Sequence, residues 1–94
     1  MRKPYVSVII PAYNASGTLL RLLESLQLSV YKNFEVIIGD DASREQLTVK
    51  KLQLPHQKFP LMMTRLLQNR GPAAARNAAE KRQREIFSSF WMPM

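Results

Sequence analysis

Phe34-Glu35-Val36-Ile37-Ile38, followed at once by Gly39-Asp40-Asp41-Ala42-Ser43, decides the fold of this chain. β-Branched and aromatic residues dominate the first five positions, as a short strand requires. The small and acidic residues after them are turn formers that break it. Toward the N-terminus, Leu19, Leu20, Leu22, Leu23 and Leu26 recur at helical spacing, with Arg21, Glu24 and Gln27 between them. That pattern predicts an amphipathic helix of about three turns, ending near Ser29. Residues 14–17 are loop chemistry, with Asn14 and Ser16 as candidate N-caps. Val6-Ser7-Val8-Ile9-Ile10 before them is a buried strand that Pro11 is expected to close, because proline cannot donate to a sheet ladder. Toward the C-terminus, a short polar helix is expected over residues 44–52, then a loop bracketed by Pro55 and Pro60. A third strand falls within residues 61–67. Asn69-Arg70-Gly71 makes a turn, and Pro72 suits a first helical position. Residues 73 to 84 are rich in alanine and long unbranched side chains and form a helix. The apolar stretch 86–91 is expected to be a fourth strand. Strands alternating with helices define an α/β fold with a parallel sheet.

Ninety-four residues allow one small domain or a piece of a larger one. With 46% hydrophobic and 22% charged residues the composition is that of a globular chain. Cysteine is absent, which excludes disulfides and thiolate metal sites and fits a cytoplasmic setting. Arg2 and Lys3 are followed by no apolar stretch of signal-peptide length, and no run reaches that of a transmembrane helix. The net charge of +7 and a pI near 10.3 call for a polyanionic partner or a solvated basic face. Nucleic acid, an acidic membrane surface and a diphosphate-bearing ligand all qualify. The charge gathers late, at Arg65, Arg70, Arg76, Lys81, Arg82 and Arg84.

In parallel α/β sheets, ligands bind beyond the carboxyl ends of the strands. Those positions are occupied here by Pro11-Ala12-Tyr13-Asn14, Asp40-Asp41 and Asn69-Arg70-Gly71, so a site is predicted at that edge. Tyr13 could stack on a nucleobase, or be a plain core or rim tyrosine. Asp40-Asp41 could accept hydrogen bonds from a base or ribose; for one of the pair an Asx turn, with Ser43 capping the next helix, is the plainer expectation. Arg70 could hold a phosphate or cover a base, with Gly71 permitting close backbone approach; otherwise it is a solvated arginine. Arg76 is expected to be a solvated or structural residue and not a ligand contact. His56 stands without a second histidine or a cysteine, so it does not suggest a metal site, and Met62-Met63 is strand packing. Neither a G-x-G-x-x-G after the first strand nor a P-loop is present.

V-S-V-I-I-P-A-Y-N at residues 6–14, the leucine-rich helix, N-F-E-V-I-I-G-D-D-A-S at 33–43 and N-R-G-P-A-A-A-R-N-A-A at 69–79, in that order and spacing, resemble family 2 glycosyltransferases. The resemblance covers the chain to about Phe87. It implies the N-terminal part of a GT-A fold, a Rossmann-like parallel sheet with flanking helices that binds a nucleoside diphosphate sugar. By position it implies that Pro11, Ala12 and Tyr13 lie against the base, that Asp41 binds base or ribose, and that Arg70 lies near base and diphosphate. Gly39 stands where the family usually has an aliphatic residue, and Ala42 where it often has glycine or asparagine; both departures look mild. The family's partners are the sugar donor and an acceptor glycan or lipid, with membrane association, at the cytoplasmic inner face, through regions outside these residues.

The family pattern continues with a strand leading to D-x-D, whose aspartates hold a divalent ion, Mg or Mn, on the diphosphate. Arg84-Glu85-Ile86-Phe87 matches that strand's start with arginine for glycine, but Ser88-Ser89-Phe90-Trp91-Met92-Pro93-Met94 contains no D-x-D. The expectation is therefore a nucleotide-sugar-binding part over residues 1–94, truncated before the metal ligands and without turnover. Because Trp and Met have single codons, Phe90 onward must read TTY TGG ATG CCN ATG. Regrouped from the preceding base, it permits hydrophobic-Leu-Asp-Ala-Asp, as a frameshift near Ser88 would leave; the nucleotide sequence tests this. The alternative from another class is a small basic nucleic-acid-binding module carried by the helix with Arg76 to Arg84. Against it, aromatic and basic residues are not interleaved, and the leading expectation is no nucleic-acid partner.

Overall fold

The computed structural model describes residues 6–29, 33–45 and 47–90, and of residues 85–90 the backbone alone. Three strands, β1 (Val6–Ala12), β2 (Phe34–Asp40) and β3 (Leu61–Arg65), form a parallel sheet in the order β1-β2-β3. Helix α1 (Ser16–Gln27) joins β1 to β2, the short α2 (Val49–Leu52) lies between β2 and β3, and α3 (Pro72–Phe90) follows β3. The fold is the expected α/β, Rossmann-like arrangement of a parallel sheet flanked by helices.

Central position explains the composition of β2. Every one of its residues is buried, because it has a strand on either side and a helix layer on each face. Successive side chains point to opposite faces. Phe34, Val36 and Ile38 join Leu19 and Leu23 of α1, with Leu47, Leu52, Phe59 and Leu61, in one apolar cluster. Phe34 stacks on Phe59 with ring centroids 5.1 Å apart, closing that layer at the amino end of β2. Gln27, at the end of α1, grips the following loop: its side-chain amide donates to the carbonyls of Pro55 and His56, and its Oε1 accepts from the Lys58 N–H. His56 sits in this turn with φ +55°.

On the opposite face small residues sit beside the fully buried Ile37. A Cβ added to Gly39 would stand 2.1 Å from the carbonyl oxygen of Ala75, and both Ala75 and Ala79 are fully buried. Gly39 therefore lets the backbone of α3 settle directly onto β2. The replacement of an aliphatic residue by Gly39 is thus a packing change of the first order, and not a mild one.

Other expectations are corrected. Pro11 does not end β1; the strand continues to Ala12, with Pro11 opposite Gly39. Within the described sheet β1 is an edge strand, where a missing N–H leaves no neighbour unpaired. Neither Asn14 nor Ser16 caps α1. Its N-cap is Ala15, without a side-chain bond, because Asn14 is drawn into the turn after β2. The helix expected over 44–52 is confined to Val49–Leu52 and capped by Thr48, whose hydroxyl accepts from the Lys51 N–H; Ser43 is held by Asp40 instead. The fourth strand does not form over 86–90, where α3 continues to Phe90, while Trp91 lies outside the described residues. A glycine at position 84 would supply the left-handed C-cap that ends a helix, and Arg84 carries the helix through. The shifted-frame motif falls largely on residues 91–94, also outside them.

Candidate functional site

The carboxyl edge of the sheet is held by main-chain bonds that outlast the strands. The Asp41 N–H donates to the Ala12 carbonyl at 2.8 Å and the Leu66 N–H to that of Asp40 at 2.9 Å. The three turns predicted to carry a site are therefore neighbours, and Asp40 and Asp41, adjacent in sequence, are directed to opposite sides.

Asp40 is wholly buried. Its carboxylate accepts the Ser43 N–H at 3.1 Å and the Ser43 hydroxyl, three residues on, where an Asx turn would close on the residue two on. Ser43 Oγ in turn accepts the Asn14 N–H at 2.8 Å, and Asn14 Oδ1 accepts the Arg44 N–H at 2.8 Å. Asn14 adopts φ +48°, a left-handed conformation that asparagine tolerates better than most residues. Arg65, at the end of β3, donates to the Ser43 carbonyl at 2.8 Å and lies 3.7 Å from Asp40. This network ties the ends of all three strands together. Its members Asn14, Ser43 and Arg65 are absent from the expected binding set; short polar side chains in turns hinted at Asn14 and Ser43, and nothing in the sequence at Arg65.

Asp41 is 3% exposed and faces α3. One carboxylate oxygen accepts the Arg70 N–H and the other the Gly71 N–H, each at 2.7 Å, and its carbonyl accepts from the Asn69 side-chain amide at 3.2 Å. Gly71 has φ +96° just before Pro72 opens α3. Between them, Ala42 has φ +57°, a conformation costing a non-glycine residue about 1 kcal/mol. The family's glycine or asparagine at this position is therefore the relaxed choice, and Ala42 carries strain.

Of the five expected residues, Asp41 and Arg70 meet through the Arg70 main chain. Pro11 and Ala12 end β1 beside Gly39 and Asp40, and Tyr13 follows them, 45% exposed. Arg70 is exposed, its guanidinium unpaired among the described residues. A shallow hollow of about 170 Å³ opens on the α1 side, lined by Asn14, Ala15, Ser16, Ser43, Arg44 and Leu47 among others, and by none of the five. Among the described residues no three His, Asp or Glu side chains stand together as a metal site. Asp40 and Asp41 are both committed to internal bonds, so these residues do not fit a divalent ion.

The profile of the family described as Glycosyl transferase family 2 matches residues 7–84. An uncharacterized glycosyltransferase of Haemophilus influenzae is 38% identical over 76 residues, covering 81% of this chain and 24% of its own length. The uncharacterized glycosyltransferase YfnE of Bacillus subtilis is 44% identical over 79 residues, 83% of this chain and 20% of that protein. The UDP-Glc:alpha-D-GlcNAc-diphosphoundecaprenol beta-1,3-glucosyltransferase WfgD of Escherichia coli is 32% identical over 85 residues, 90% of this chain and 33% of that protein. The chain thus spans a third or less of the length of these relatives. No solved structure matches.

Proposed function

The chain belongs to glycosyl transferase family 2, and from that premise we propose that its carboxyl-edge site holds the nucleoside diphosphate half of a sugar donor. Pro11 and the exposed ring of Tyr13 offer a surface for the base, with Ala12 buried beneath it, and the guanidinium of Arg70, unpaired among the described residues, meets base and diphosphate. The observation that carries this reading is the direct bonding of Asp41 to the Arg70-Gly71 turn, which joins two of the sequence motifs at one edge. The sugar passes, in the whole family protein, to a hydroxyl of a glycan or lipid-linked acceptor with inversion at the anomeric carbon. A lipid-linked acceptor is supported by the name of the E. coli relative, whose substrate is a diphosphoundecaprenol. A divalent ion would there stabilise the leaving diphosphate. The sequence contains no D-x-D, and the reading proposed for this chain by itself is nucleotide binding without turnover.

Calorimetry with uridine diphosphate, against a short DNA duplex at the same ionic strength, tests the reading. Saturable binding of the nucleotide that a Tyr13→Ala change weakens is expected. Preferential binding of the duplex with steep salt dependence would instead favour a nucleic-acid module, the second reading, which the exposed Arg76, Lys81, Arg82 and Arg84 keep open.

A further inference from the structure

We propose that Ser43 serves this site as a positioning residue: through Asn14 it fixes Tyr13, and so sets where a base stacks. The effect of Ser43 on binding rests on the nucleotide-binding reading above. The ring of Tyr13 is exposed, so burial cannot set its direction, and its place at the edge depends on the main chain to either side. On one side the Ala12 carbonyl accepts the Asp41 N–H at 2.8 Å. On the other, Asn14 makes two bonds with the turn after β2. Its N–H donates to Ser43 Oγ and its Oδ1 accepts the Arg44 N–H, each at 2.8 Å. Two bonds running in opposite directions resist both sliding and rotation of the residue that follows Tyr13.

Ser43 is the fixed end of this clasp, buried and held at three points. Its N–H and its hydroxyl both donate to Asp40, itself wholly buried, and its carbonyl accepts from Arg65 at 2.8 Å. A serine hydroxyl has one proton; with that proton on Asp40, its lone pairs are left to accept the Asn14 N–H. Asn14 departs from two local preferences to meet it. It takes φ +48°, and it leaves α1 with Ala15 as an N-cap that makes no side-chain bond. Departures of that kind gather at functional sites.

Calorimetry with uridine diphosphate and amide nitrogen relaxation, both on the full chain, test this together. Ser43→Ala removes the hydroxyl and with it the bond to Asn14. In that variant the order parameter of the Tyr13 amide falls from about 0.85 to about 0.6 or less. Uridine diphosphate binding weakens about fivefold in Ser43→Ala and about tenfold in Tyr13→Ala. The double variant is no weaker than Tyr13→Ala alone, because one residue acts through the other. Losses that multiply to about fiftyfold would mean that Ser43 supports binding by another route, as a merely structural tie does, and would overturn the proposal. An unchanged Tyr13 order parameter would also overturn it. Should Ser43→Ala fail to fold, Asn14→Ala, at an exposed position, takes its place with the same expected losses. Should the unmodified chain bind no uridine diphosphate, the nucleotide reading fails, and the relaxation data alone decide whether Ser43 positions Tyr13.

Discussion

The two faces of the sheet are held by different physics. On the α1 face, leucine, valine, isoleucine and phenylalanine side chains fill the space between layers, so stability there comes from buried apolar volume. On the α3 face, Gly39, Ala75 and Ala79 remove side-chain volume, and the helix backbone comes down onto the strand. The first arrangement yields to truncation and the second to addition. The difference bears on function, because the helix seated by close approach is also the one whose N-terminus carries Arg70. Asp40 and Asp41 repeat the contrast: one is locked within the strand ends, the other joins the sheet to the helix.

Substitutions that exchange the two kinds of packing have the largest expected effect. Gly39→Val should cost about 4 kcal/mol or more in urea unfolding, beyond the usual range for overpacking, because the opposing atom is backbone and cannot swing aside. Leu23→Ala on the other face, fully buried, should cost about 3 kcal/mol. A Gly39→Val loss smaller than that of Leu23→Ala would break the contrast. Asp41→Asn comes next, at about 2 kcal/mol, since it removes charge-assisted bonds from a buried carboxylate to part-buried amides. The smallest effect has the opposite sign: Ala42→Gly should raise stability by a few tenths to about 1 kcal/mol, as relief of the left-handed strain outweighs the added freedom of the unfolded chain. A thermal melt resolves that sign.

The alternation of apolar strands with a leucine-spaced helix makes the fold legible from residue types alone, because period and burial are local properties. The convergence of Tyr13, Asp41 and Arg70 on one edge follows from parallel topology and needs no contact information. Which aspartate closes on Ser43 and which clasps α3 depends on the direction in which β2 ends, and that lies in the positive φ of Ala42, which no propensity announces. Arg65 reaches Ser43 only because β3 pairs in register with β2, a long-range fact. The extension of α3 through Arg84 was hidden by an apolar stretch that suits a strand or a helix equally, where helix continuation needed only the absence of a stop.

The most direct test of a nucleotide site at the carboxyl edge is amide chemical-shift mapping of the isotopically labelled chain on addition of uridine diphosphate. The expected result is saturable movement of Tyr13, Asp41, Arg70 and Gly71, with Ser16 and Leu47 in the α1-side hollow unmoved. Movement confined to that hollow, or to Arg76, Lys81 and Arg84 on the exposed face of α3, would contradict it.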